Sequence, residues 1–289
     1  MEIVVGKTAG FCYGVKRAID NTEKELKKNK KMYCLGEIVH NSVVTNNLRN
    51  KGLQIIENIK EAEDKVIIRA HGVAKEVYEY ANTNNIEVKD YTCPKVARIH
   101  DIVKQYVEKG YYIFLCGSKL HPENIGTMSH CKNQYFNIEK FEDVNKSVVE
   151  LKKTSINKIL LIAQTTYSIK LFEEIQTELK SILEDNYELK IENTICKATE
   201  IRQKETEKLA QETDMMIVIG GKNSSNTKKI YEIAKSRLKN SVCVENVLEL
   251  QKSDVNNIIK AGKVGIMAGA STPKESIEEV VEYIKKLEV

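Results

Sequence analysis

Five apolar runs along the chain are continuous rather than alternating: KVIIRA (65–70), YYIFLC (111–116), KILLIA (158–163), MMIVIG (215–220) and KVGIMA (263–268). Successive side chains of a strand point to opposite faces, so a strand is apolar throughout only where both faces are covered. Between these runs the pattern changes period. Val96, Ile99, Val103 and Tyr106 return on one helical face, as in a helix packed on a sheet. Short buried strands alternating with such helices predict an α/β protein with mainly parallel sheets.

Three shorter apolar runs each end in a cysteine: IVVGKTAGFC at Cys12, IEVKDYTC at Cys93 and LKIENTIC at Cys196. Each cysteine opens a helical stretch, although KATEIRQKETEKLA after Cys196 is less clearly amphipathic than the others. The same events then recur in each copy. A strand ends in glycine with a polar residue four positions on: Gly36 to His40, Gly117 to His121, Gly221 to Ser225. A second strand ends in alanine followed by a polar tip at His71, Thr165 or Ser271. This repeat predicts three similar α/β units, residues 1–93, 94–196 and 197–289, in a pseudo-threefold arrangement around a central metal site. Ligand-binding groups of open α/β sheets gather beyond the carboxyl ends of the strands. The centre is therefore expected to hold Cys12, Cys93, Cys196, His40, His71, His121, Thr165, Ser225 and Ser271. The only prolines, Pro94, Pro122 and Pro273, fall where strands give way to helices, a position that suits a residue without an N–H.

Composition narrows the class. Apolar residues make up 42% and charged residues 30%, and the net charge of +4 is too small to argue for nucleic acid. No apolar stretch reaches the ~20 residues that span a bilayer, and MEIVVGKTAG reads as a strand rather than a signal peptide. Seven irregularly spaced cysteines do not form a secreted disulfide framework, so reduced thiols in the cytoplasm are expected.

Three thiolates brought together from distant sequence suit a soft metal. The competing reading is three inert buried thiols, which fits Cys34, Cys116 and Cys243 better because each lies in or beside an apolar strand; Cys131 fits neither pattern. The absence of a CxxC pair argues against a structural zinc site. Three cysteines can hold three irons of a [4Fe–4S] cluster and leave the fourth open. GGKNSSN (220–226) lies between a strand and a helix, where backbone N–H groups cradle an anion or simply make a turn. Glu123, after His121-Pro122, is either a charge favouring a helix start or a proton donor whose pKa rises beside a bound anion. His100 and His130 read as surface or core residues.

The ordered set GFCYGVKRA, EIVHN, RAHGV, TCP, HPE, QTT, GGKNSSN and AGAST, running from about residue 5 to about residue 275, resembles the LytB family of 4-hydroxy-3-methylbut-2-enyl diphosphate reductases. The resemblance implies a trefoil of three α/β units around a [4Fe–4S] cluster held by Cys12, Cys93 and Cys196. It implies that the substrate's hydroxyl meets the open iron and is expelled as water by two electrons and two protons. The diphosphate is then expected among His40, His71, His121, Ser224, Ser225, Asn226 and Ser271, with Thr165 and the proton donor Glu123 at the hydroxyl end. Isopentenyl and dimethylallyl diphosphate are the implied products, and a ferredoxin or flavodoxin the implied electron donor. Quinolinate synthase, with three comparable repeats and three cluster cysteines, lacks this motif set. A non-enzymatic iron–sulfur sensor has no use for a proton donor beside an anion site.

Overall fold

The continuous apolar runs form the central strands of three four-stranded, all-parallel sheets in the structure, a computed structural model that describes residues 1–287. The chain begins with β1 (Glu2–Val5), α1 (Tyr13–Lys28), β2 (Met32–Leu35), α2 (Ser42–Asn50), β3 (Leu53–Ile56), β4 (Lys65–Ile68), α3 (Lys75–Thr83) and β5 (Glu87–Asp90). It continues with α4 (Pro94–Glu108), β6 (Tyr112–Cys116), α5 (Pro122–Met128), β7 (Tyr135–Ile138), α6 (Asp143–Lys152), β8 (Lys158–Ala163), α7 (Ile169–Ile182) and β9 (Glu188–Ile191). It ends with α8 (Lys197–Gln211), β10 (Met215–Ile219), α9 (Ser225–Arg237), β11 (Ser241–Val244), α10 (Lys252–Lys260), β12 (Lys263–Ala268) and α11 (Lys274–Lys286).

The three sheets share one topology: β3-β2-β4-β5, β7-β6-β8-β9 and β11-β10-β12-β1. In each, the chain leaves the first strand to one side and returns to the other side of it for the third. The strand order thus reverses between first and third strands, the place where open α/β sheets bind their ligands. Residues 2–5, expected in a unit of residues 1–93, lie instead at the edge of the third sheet, with Val4 opposite Gly265. Among the described residues a helix alone follows β12, and the N-terminal strand takes the place in the third sheet that β5 and β9 take in the other two.

The chain divides into two compact units. One comprises Met1–Glu23, Val39–Gly52 and the chain from Lys197 on, and contains the sheet of β1 and β10 to β12. The other comprises Lys24–Ile38 and Leu53–Cys196, and contains the other two sheets. Both faces of each central strand are covered, as the apolar runs require. Phe114 and Cys116 pack with Phe172 and Ile175 of α7, while Ile113 and Leu115 pack with Ile99 and Val103 of α4. In the other unit Ile217 and Ile266 join Val280 and Ile284 of α11, while Met216 and Val218 join Leu209 and Ile230. Among the described residues no helix is long and apolar enough to cross a membrane.

Candidate active site

Every candidate residue predicted from the sequence follows the carboxyl end of a first, third or fourth strand. His40, His121 and Ser225 follow the first strands β2, β6 and β10; His71, Thr165 and Ser271 follow the third strands β4, β8 and β12. Cys93, Cys196 and Cys12 follow the fourth strands β5, β9 and β1. The three cysteines are also held alike. The N–H of Cys93 donates to Ala70 O at 2.9 Å, that of Cys196 to Thr165 O at 3.0 Å, and that of Cys12 to Ala270 O at 3.1 Å. Each bond runs from a fourth-strand corner to the third-strand corner beside it. Each cysteine then opens a helix: Cys93 is the N-cap of α4 with Pro94 behind it, and Cys12 O accepts the first helical bond of α1 from Lys16 N at 2.9 Å.

The other four cysteines are poor ligands. Cys34, Cys116 and Cys131 are fully buried in the apolar cores, and Cys243 lies on β11. Burial pushes the thiols of Cys34 and Cys131 up to about 12, that of Cys243 to about 11, and that of Cys116 higher still. Cys131, which the sequence leaves unassigned, donates its S–H to Thr127 O at 3.5 Å inside the core beside α4. Cys12, Cys93 and Cys196 are each half-buried at a strand-to-helix corner and free of disulfides, and their thiols have the chemistry that suits a soft metal.

In the unit of Leu53–Cys196, α5 carries the candidate acid–base residues. His121 caps it: Nδ1 accepts the Glu123 N–H at 3.2 Å, which leaves the ring proton on Nε2. The His71 and His121 rings meet edge-on with centroids 5.4 Å apart. Glu123 is only 2% exposed, and its carboxylate accepts the Thr165 N–H at 2.6 Å and the Thr165 hydroxyl at 2.7 Å. Burial raises its pKa and the two bonds from Thr165 lower it; burial wins and the carboxyl is pushed up to about 7. Thr165 therefore touches two candidate residues at once, Glu123 through its N–H and hydroxyl and Cys196 through its carbonyl. Sequence reasoning missed the braces behind this pair. Asn124 Nδ2 donates to Ser118 O at 2.8 Å and to Gln164 Oε1 at 3.3 Å, tying the ends of β6 and β8 together. Asn124 directly follows HPE and Gln164 opens QTT, but neither was given a role from the sequence.

In the unit containing the C-terminal chain, the loop after β12 and the Gly-rich loop after β10 hold His40. Ser271 Oγ donates to His40 O at 3.0 Å. Gly221 packs on the same carbonyl so closely that a Cβ there would come within 2.4 Å of its oxygen. Ser224 spends its hydroxyl on capping α9, accepting from Thr227 N at 3.3 Å. Asn226, in the first turn of α9, is 3% exposed, yet neither its Oδ1 nor its Nδ2 has a hydrogen-bond partner among the described residues. A buried amide without partners at a helix N-terminus has donor chemistry that suits an anion. His100 and His130 lie elsewhere in the other unit, rings 4.9 Å apart, and burial pushes both down to about 4, so they are neutral packing residues.

The family model of LytB protein matches residues 3–285. The chain belongs to the LytB family. It is 40% identical over 295 residues to the 4-hydroxy-3-methylbut-2-enyl diphosphate reductase of Caldanaerobacter subterraneus subsp. tengcongensis, covering 99% of this chain and 98% of that one. The Aquifex aeolicus protein of the same name is 39% identical, with 99% and 97% covered. Among solved structures, the LytB chain is similar to the E-1-hydroxy-2-methyl-but-2-enyl-4-diphosphate reductase from Plasmodium falciparum, with a TM-score of 0.89 at 30% identity over 98% of this chain and 87% of that one. It is also similar to a structure of (E)-4-hydroxy-3-methyl-but-2-enyl diphosphate reductase, the terminal enzyme of the non-mevalonate pathway, with a TM-score of 0.69 at 38% identity over 99% and 100% of the two chains.

Proposed function

We propose that this LytB-family chain is a 4-hydroxy-3-methylbut-2-enyl diphosphate reductase, removing the allylic hydroxyl by two electrons and two protons. The products are water with isopentenyl and dimethylallyl diphosphate. The observation that carries the reading is Glu123, a carboxyl buried to a pKa of about 7 and bonded to Thr165, whose carbonyl holds Cys196. A group that titrates near neutrality both gives and regains a proton readily. Glu123 is the proton donor, and Thr165 orients its carboxyl toward the substrate's hydroxyl.

Cys12, Cys93 and Cys196 would hold a [4Fe–4S] cluster, which would supply the electrons of the reduction. His40, His71, His121, Ser224, Ser225, Asn226 and Ser271 bind the diphosphate. The unpartnered amide of Asn226 and the Nε2–H of His121 support this, since neutral donors solvate a buried polyanion without a row of lysines. We read the chain as three repeats, 1–93, 94–196 and 197–289, with the N-terminal strand exchanged onto the third sheet. The protein works in the cytoplasm, with a ferredoxin or flavodoxin as electron donor.

Anaerobic purification should give a brown protein with about four irons per chain that bleaches in air. Its iron spectrum should change on adding the diphosphate substrate. A colourless protein carrying one zinc would end the cluster reading.

A further inference from the structure

The weak amphipathicity of the helix after Cys196 has a physical cause. Alongside Leu209 and Ala210, the buried residues of α8 include Thr199, Arg202, Gln203 and Thr206, an unusual share of polar groups for a helix packed on a sheet. Arg202 is 3% exposed. Its Nε donates to Thr8 O at 2.9 Å, and its Nη2 to Thr8 O at 2.5 Å and Gly10 O at 2.8 Å. Glu205, one turn later on the same face, accepts the Lys7 N–H at 2.7 Å, the Thr8 N–H at 2.9 Å and the Thr8 hydroxyl. Burial raises the Glu205 pKa, but the bonds from Thr8 and Lys7 and the charge of Arg202 outweigh it and hold the carboxyl below its usual range. The segment so gripped, residues 7–10, is the lead-in from β1 to Cys12. Gly10 turns it with φ +101°, a conformation that presents the Gly10 carbonyl and that an L side chain would strain.

The other two cysteine lead-ins are pinned by residues of their own. Asp90 accepts the Thr92 N–H at 2.9 Å ahead of Cys93 and is itself held by Tyr78 OH at 2.9 Å. Ahead of Cys196, Thr194 Oγ1 exchanges hydrogen bonds with Ala163 N and O at 2.8 and 2.5 Å, and Asn193 Oδ1 accepts the Ile195 N–H at 3.1 Å. The lead-in to Cys12 is held instead by two charged residues nearly two hundred positions away in sequence, buried Arg202 and half-buried Glu205, on the helix that begins directly after Cys196.

We propose that Arg202 and Glu205 are positioning residues that present Cys12 as a cluster ligand. Without them Cys12 becomes the labile member of the three while Cys93 and Cys196 keep their geometry. The inference rests on the cluster reading above, and the test separates the two.

Wild type, Arg202→Met, Arg202→Lys and Glu205→Gln are reconstituted anaerobically with iron and sulfide, then pulsed with iodoacetamide. Labelling at each cysteine is read by peptide mass spectrometry. Cys34, Cys116 and Cys131 serve as the folding control, because they react only if the cores open. Wild type should protect Cys12, Cys93 and Cys196 together. In Arg202→Met and Glu205→Gln, Cys12 should label about tenfold or more faster than Cys93 and Cys196 of the same molecules, the scale of losing a charge-assisted hydrogen bond. Arg202→Lys, which keeps the charge but not the fork, should fall between. The apo proteins should show the same Cys12 bias.

Equal labelling of the three cysteines in variants whose core thiols stay protected overturns the positioning role. Should Arg202→Met open its core, Arg202→Lys and Glu205→Gln decide by the same ratio. A wild type in which reconstitution protects none of the three overturns the cluster reading itself, and the proposal with it.

Discussion

Glu123→Gln makes the burial of Glu123 measurable as stability. The carboxyl is pushed from an ordinary 4.5 to about 7, chiefly by desolvation, with the bonds from Thr165 opposing. A folded-state pKa raised above the unfolded one contributes stability that is full below the unfolded value and is lost as pH rises through the folded value. For Glu123 the window runs from about 4.5 to about 7, and the full loss is about 3 kcal/mol at 1.36 kcal/mol per pKa unit. Glutamine keeps an oxygen to accept the Thr165 N–H and does not titrate. Between pH 5 and pH 8 wild type should therefore lose about 2 to 3 kcal/mol more than Glu123→Gln. Anaerobic urea unfolding of the metal-free proteins at both pH values gives this double difference, in which groups other than residue 123 cancel. A double difference near zero would mean that Glu123 is already charged or solvated at pH 5, and would refute the neutral-carboxyl argument. Activity should report the same group with the matching sign. Wild-type kcat/KM should fall as pH rises through about 7, because the proton to be donated is gone. Glu123→Gln should lose about 10²-fold or more of turnover and show no such limb, with cluster content and substrate binding retained.

Other residues give independent checks. Asn226→Leu should raise the thermal stability of the unliganded protein by removing a buried amide without partners, a cost of about 1 to 3 kcal/mol, while weakening diphosphate binding. A destabilised variant with unchanged affinity would take Asn226 out of the anion site. Ser225→Ala combined with Asn226→Ala should raise the substrate dissociation constant by about tenfold or more, with iron content unaltered. Gly221→Ala forces a Cβ to within 2.4 Å of the His40 carbonyl oxygen, so the His40 loop must shift. Calorimetry should show weaker diphosphate binding at normal iron content, and unchanged binding would remove His40 from the site.

What the sequence disclosed and what it withheld follow one physical division. Ile113 and Leu115 face one core and Phe114 and Cys116 the other, so burial on both faces is written directly into the apolar run. The corner residues were legible because a parallel α/β repeat returns each strand to the same end of its sheet, leaving equivalent positions at equivalent places in the chain. The partner of β1 was not, because a four-residue edge strand with two exposed ends fits the side of any parallel sheet. The burial of Glu123 was equally hidden, since its carboxyl is held from the end of β8, some forty residues further along the chain. The helix after Cys196 is the most instructive case. By periodicity alone it is a poor helix for a core, because the side chains it buries include an arginine and a glutamine among threonines. That polarity is costly unless each group finds a partner in a distant segment, and Arg202 finds the Thr8 and Gly10 carbonyls. A buried face that breaks the apolar pattern is thus a sign that the helix holds backbone rather than side chains. Here the backbone it holds leads to Cys12.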